Sequence, residues 1–174
     1  GMGNAMLKNT GINIGKSICD DGYKDLVKEI LENSSTHDCK IYYPLDIVVS
    51  KTLDGNGMIK EVNEVNKDEM ILDIGPKTIT SIKDIINKSN TVLWNGPAGY
   101  FENPNFSNGT KEILEIITHK RSKNKIYAVA GGGETVAVIN KFNKLDSFDF
   151  VSTAGGAFLE YLEGKELPGI KALN

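Results

Sequence analysis

The chain has 174 residues, of which 40% are hydrophobic and 25% charged, with a formal net charge of -3. That is too apolar for disorder and too acidic for a general nucleic-acid footprint. It has no apolar run long enough to span a bilayer and no signal-peptide core at its start, and at about 150 residues per domain one domain is the economical count. A chain of this size can bury roughly 70% of its unfolded surface. Its two cysteines, Cys19 and Cys39, form neither a CxxC pair nor a zinc spacing. They read as buried or half-buried thiols in a reducing cytosol. The expectation is a soluble cytoplasmic α/β domain.

Gly1 to Thr10 carries helix-like apolar spacing at Met2 and Met6. Asp20 or Asp21 can cap a helix whose apolar face is Tyr23, Leu26, Val27, Ile30 and Leu31. Asn33–Asp38 reads as a polar loop. Lys40–Ser50 is rich in β-branched and aromatic residues and reads as a strand disturbed at Pro44. The polar stretch Lys51–Glu69, with Asp54-Gly55-Asn56-Gly57 inside it, reads as a surface excursion or hairpin.

A rhythm then sets in. The predicted strands are Met70–Asp73, Thr91–Trp94, Ile126–Ala130 and Phe148–Ser152. Between them lie helices marked by Ile79, Ile82 and Ile86, by Ile113, Leu114 and Ile117, and by a run through Phe142; a short helix through Leu162 follows. Apolar strands alternating with amphipathic helices predict a parallel sheet covered on both faces.

In such a sheet, ligands sit beyond the carboxyl ends of the strands. Three of those ends are glycine-bearing: Trp94–Glu102, Ala130–Thr135 and Ser152–Ala157. The last two share the layout strand, glycines, helix. Glycine lets backbone approach a ligand, and a helix start offers unpaired N–H groups, so the layout suits an anion or phosphate. The competing reading is a tight turn and nothing more. Standard nucleotide motifs do not fit: Gly15-Lys16-Ser17 has the wrong spacing for a Walker loop, and Lys16 and Ser17 read as ordinary loop residues. Glu102 suits a ribose hydroxyl acceptor and Glu134 a magnesium-phosphate contact. Each also reads as a solvated carboxylate, or for Glu134 as a favourable charge at a helix start. Trp94 reads as core or pocket wall, and His37 and His119 as solvated. The basic run Lys120–Lys125 reads as a solvated turn after a helix end.

Several motifs in order resemble one family. They are Gly1-Met2 leading into Ala5-Met6-Leu7-Lys8, Pro44-Leu45-Asp46-Ile47-Val48-Val49, and Leu72-Asp73-Ile74-Gly75-Pro76-Lys77-Thr78. They continue with Trp94-Asn95-Gly96-Pro97, Phe101-Glu102, Gly131-Gly132-Gly133, Ser152–Ala157 and Leu159–Gly169. Over essentially its whole length the chain resembles the C-terminal, nucleotide-binding domain of phosphoglycerate kinases. The resemblance implies a Rossmann-like three-layer α/β domain over residues 1–174, its parallel sheet truncated at the N-terminal edge. It implies phosphoryl transfer between 1,3-bisphosphoglycerate and ADP with Mg²⁺, in a cytoplasmic and usually monomeric protein that takes neither nucleic acid nor membrane as partner.

By the same resemblance, Gly1 and Leu72 border the adenine, Asn95, Gly96, Ala98 and Phe101 lie along the nucleotide, and Glu102 takes the ribose hydroxyls. Gly131, Gly132, Gly133, Glu134 and Thr135 hold the phosphates, with Glu134 on the metal. Gly133 and Gly156 offer N–H groups to the phosphoryl in flight. Three positions depart from the family pattern: Glu134 replaces a common Asp, Ala154 a common Gly, and Ile71 a common Gly beside the adenine. The family's N-terminal domain, which binds the phosphoglycerate, and the first strands and lysine loop of this domain are not in the sequence. The expectations are a chain that binds Mg-ADP or Mg-ATP and is inactive alone, or a non-catalytic nucleotide-binding or interaction fragment.

Overall fold

The structure, a computed structural model, describes residues 1–19 and 21–173. The chain divides into two compact units, residues 1–82 with 98–110 and residues 83–97 with 111–174.

The first unit opens on helix α1, Met2–Asn9, with Met6 and Leu7 buried. Asp20 lies outside the described residues. Asp21–Tyr23 is a 3-10 turn that leads into α2, Lys24–Thr36. Of the apolar face predicted for α2 only Val27 is buried, while Tyr23 and Leu26 are exposed. The helix also runs through Asn33–Thr36, where a loop was expected. The hydroxyls of Ser34, Ser35 and Thr36 each donate to the carbonyl three residues back, which lets hydroxyl residues continue a helix.

Strands β1 (Asp46–Ser50), β2 (Met58–Glu61) and β3 (Met70–Ile74) form an antiparallel sheet in the order β2-β1-β3. The predicted excursion is therefore a hairpin. The strand expected from Lys40 begins only at Asp46, after Pro44, which has no N–H to give a ladder. The N–H groups of Leu45 and Asp46 instead reach the Thr78 hydroxyl at 2.9 and 3.1 Å. Strand β3 joins this antiparallel sheet and not the parallel one, because a short apolar run reads the same in either setting. Pairing slips between Val48↔Asp73 and Val49↔Ile71, which leaves Leu72 as the extra residue of a bulge. Ile47, Val49 and Val65 form the core here, with Val62 and Ile71 packed against them.

Helix α3 (Pro76–Lys88) follows β3, and α4 (Asn108–Ser122) lies between β4 and β5. In the second unit β4 (Thr91–Asn95), β5 (Tyr127–Gly131) and β6 (Phe150–Val151) pair in parallel in that order. Parallel neighbours need a crossover, and α4 and then α5 (Gly133–Lys141) supply it. The fold class is α/β, with a parallel sheet and flanking helices. Ile113, Leu114, Ile117, Ala128, Ala130, Val138 and Ile139 are buried, and Trp94 stacks on Phe148 with 6.3 Å between ring centroids. The opposite sheet face carries Leu93, Tyr127 and Phe150, all exposed. Short helices α6 (Gly156–Leu162) and α7 (Pro168–Lys171) close the chain. Neither cysteine is in a disulfide; Cys19 is half-buried and Cys39, against expectation, exposed. Among the described residues no helix is long and apolar enough to cross a membrane.

Candidate functional site

In the second unit, two glycine turns end up side by side. Parallel register places Asn95, the last residue of β4, opposite Gly131, the last of β5. Each strand then breaks at a glycine in the left-handed region: Gly96 at φ 102° and Gly132 at φ 88°. The two turns are tied together, because the Gly96 N–H donates to the Thr135 hydroxyl at 2.6 Å and Thr135 is fully buried. Gly132 is also the N-cap of α5, and no side chain caps that helix. The N–H groups of its first turn, Gly133, Glu134 and Thr135, therefore stand where an intrahelical partner cannot reach. Gly133 is exposed, with open space where a Cβ would be.

The Asn95 side chain lies against Gly132, about where a Cβ there would touch it, and its Nδ2 is buried without a partner. A buried amide donor left unpaired calls for an acceptor. Gly131 is buried, and a Cβ there would collide with the Phe158 ring. The third loop ends at Gly155, φ 57°, and Gly156 is exposed at the start of α6.

In the first unit, the structure brings together Leu72, Ala98, Phe101 and Glu102. The Leu72 carbonyl accepts the Tyr100 N–H at 2.7 Å, which pins the 98–102 segment to the β3 bulge. Leu72 and Phe101 are buried and Glu102 exposed. The Ala98 N–H donates to the buried Thr110 hydroxyl at 3.0 Å. Gly1 is the exposed N-cap of α1.

Among the described residues no group of three or more His, Cys, Asp or Glu side chains converges. Glu134 is an exposed carboxylate at a helix start and belongs to no such group. That donor set fits a hard cation held jointly with ligand phosphates, as Mg²⁺ is usually held, and does not fit an all-protein cage.

A sequence model of phosphoglycerate kinase matches residues 1–165. The chain belongs to the phosphoglycerate kinase family. It is 44% identical to the phosphoglycerate kinase of Zymomonas mobilis over 99% of its length and 41% identical to that of Azorhizobium caulinodans. It spans 44% of the length of either relative. Among solved structures, the phosphoglycerate kinase of Coxiella burnetii matches all of the chain at a TM-score of 0.91 and 38% identity, again over 44% of that protein. The Pyrococcus horikoshii enzyme matches 98% of it at a TM-score of 0.80 and 29% identity.

Five polar residues that anchor helix ends and loop necks escaped the sequence reading. Asp46 caps α3 from β1: its carboxylate accepts the N–H groups of Thr78 at 2.8 Å and Lys77 at 3.0 Å. Burial pushes this carboxyl up, but the N–H groups of Lys77 and Thr78, the Thr78 hydroxyl and the Lys77 charge together hold it below the usual range. Asp73 caps α4 from β3, accepting from Gly109 at 2.9 Å and from Ile74 at 2.8 Å. Here burial wins, and the carboxyl is pushed up to about 6 against the N–H groups of Gly109, Ile74 and Asn108. The Thr78 hydroxyl donates to the Asp46 carboxylate, and the Thr110 hydroxyl accepts from the Ala98 N–H. Lys120, read as part of a solvated turn, is buried, and its Nζ donates to the carbonyls of Ile86 and Ser89 at 2.5 and 2.6 Å, closing the end of α3. An acidic residue inside an apolar strand, just before a Gly-Pro helix start, was the available signal for Asp73.

Proposed function

We propose that the chain is the nucleotide-handling portion of a phosphoglycerate kinase and binds Mg-ADP or Mg-ATP. The observation that carries this reading is the start of α5. It is an uncapped helix N-terminus behind a left-handed glycine, beside a buried amide donor that has no partner. Backbone N–H groups of Gly132, Gly133, Glu134 and Thr135, together with Asn95 Nδ2, would meet phosphate oxygens. The Thr135 hydroxyl is already engaged with Gly96, so Thr135 contributes through its backbone. Gly96 and Gly131 keep the two turns close enough to the ligand. The resemblance assigns the adenosine end to Gly1, Leu72, Ala98 and Phe101, with the exposed Glu102 on the ribose.

Glu134 would hold Mg²⁺ together with the phosphates, and the ion when bound neutralises their charge. Phosphoryl transfer needs little covalent help from protein; it depends on positioning and on charge stabilisation. The N–H groups of Gly133 and Gly156 are the ones this chain would offer to the transferring group. The phosphoglycerate is bound through the rest of a full-length enzyme, so the chain alone turns nothing over. The family resemblance supports a cytoplasmic, monomeric protein. Calorimetric titration with ADP, with and without Mg²⁺, tests the binding; a folded chain that releases no heat with either would contradict it. A coupled assay giving family-like rates from this chain alone would contradict the predicted inactivity.

The exposed apolar face of the parallel sheet favours a second reading, an interaction fragment. Parallel sheets are normally covered on both faces. Sedimentation showing a monomer at all concentrations would count against it.

A further inference from the structure

Residues 98–110 form a closed loop that follows β4 and ends in the first turn of α4. Its neck is shut by the Thr110 hydroxyl, which accepts the N–H groups of Ala98 at 3.0 Å and Gly99 at 3.2 Å. Its tip is tied to the β1–β2 hairpin by the Asn103 amide on the Leu53 carbonyl at 2.7 Å and by the Asn105 amide on the Gly55 carbonyl at 3.1 Å. Its base rests on Asp73. The Asp73 carboxylate takes the Gly109 N–H on one oxygen and the Ile74 N–H on the other, and the neighbouring Leu72 carbonyl takes the Tyr100 N–H.

Gly99 and Gly109 both pack on this carboxylate so closely that a Cβ at either would collide with it. Asp73 is almost fully buried, so solvent cannot substitute for it. The loop also turns tightly between its fixed points: Phe101 donates to the Gly99 carbonyl and Asn103 to the Tyr100 carbonyl. Where Phe101 and Glu102 stand is thus decided by the residues under Gly99 and Tyr100.

We propose that Asp73 is the positioning residue for Phe101 and Glu102, acting with Thr110 to hold the loop that presents them to the adenosine end of a nucleotide. The adenosine part of this statement rests on the nucleotide reading given above. The loop-holding part does not. Asp73 is buried beneath the loop and acts through Gly99, Gly109 and the Leu72–Tyr100 bond. Asp46 makes the matching strand-to-helix cap at α3 and does not touch the loop, so it serves as the control.

The experiment compares the parent chain with Asp73→Asn, Thr110→Val and Asp46→Asn by amide hydrogen exchange and by NMR titration with adenosine. Thr110→Val keeps shape and covers the case in which Asp73→Asn does not fold. The expected result is that Asp73→Asn and Thr110→Val each speed exchange at Tyr100 and Asn103 by at least about tenfold and weaken adenosine by a similar factor, since hydrogen bonds to a buried carboxylate are worth that much. Asp46→Asn should leave both readouts at the parent value. Unchanged exchange at Tyr100 and Asn103 in both loop variants, or an equal effect in Asp46→Asn, would overturn the positioning role. A parent chain whose 98–102 amides do not move with adenosine would overturn the nucleotide reading of this segment, while the exchange result still decides the positioning role.

Discussion

Replacing Asp73 by Asn changes how stability depends on pH, and the size of the change follows from the site. An ordinary carboxyl at 3.8 is raised to about 6 by burial, although three backbone N–H groups pull the other way. A group whose folded value lies above its unfolded value binds its proton more tightly when folded. Its contribution is fully present below about pH 3.8 and is lost as pH rises through about 6. At about 1.36 kcal/mol per pH unit of difference, ionising Asp73 costs the folded chain about 3 kcal/mol. Asp73→Asn has no proton to lose, so it escapes this cost. Urea unfolding followed by far-UV circular dichroism at several pH values should show the difference between variant and parent moving towards the variant. The movement should be about 3 kcal/mol, nearly all of it between about pH 4 and pH 6. Asp46 works with the opposite sign. Its lowered value contributes stability above its unfolded pKa that is lost as pH falls through the folded one, so it acts below this window. Because both chains share every other carboxylate, the comparison isolates Asp73. A difference that stays flat across the window, or drifts towards the parent, would refute the claim that burial dominates at this carboxyl.

Lys120→Met should lower stability by roughly 2–3 kcal/mol in urea unfolding, because two carbonyls at the end of α3 lose a charged donor. Gly15→Ala should cost several times the roughly 1–2 kcal/mol expected for Gly11→Ala. Both glycines have positive φ, but at Gly15 a Cβ would strike the carbonyl oxygens of Glu69 and Asn66, while Gly11 has open space; comparable midpoints for the two would contradict this. Phe148→Ala should cost about 3–5 kcal/mol and change Trp94 fluorescence, since the two buried rings stack.

What could be read in the sequence followed from local periodicity. The buried stripe of α4, the strand-helix alternation that yields the parallel pairing of β4 to β6, and the glycines at the strand ends are all short-range signals. Pairing partners were not legible: β3 is as apolar as a parallel strand but lies antiparallel to β1, a strand that also fell short of its expected start at Lys40. The helix through Ser34–Thr36 was hidden because hydroxyl residues read as loop until their back-bonds are seen. The buried polar anchors were hidden by distance. Asp46 meets Thr78 across 32 positions, Lys120 meets Ile86 across 34, and Asp73 meets Gly109 across 36, and no local pattern carries such a partner. At the candidate site the glycine turns could be read from the chain. The hydroxyl of Thr135 under Gly96 and the unpaired amide of Asn95 needed the register of β4 on β5.

The central claim is that the start of α5 receives nucleotide phosphates. The most direct measurement is amide NMR of the chain titrated in parallel with Mg-ADP and with adenosine. The account predicts that Gly132, Gly133, Glu134 and the Asn95 side-chain amide shift saturably with Mg-ADP and stay still with adenosine. A folded chain in which those four signals ignore Mg-ADP would contradict it.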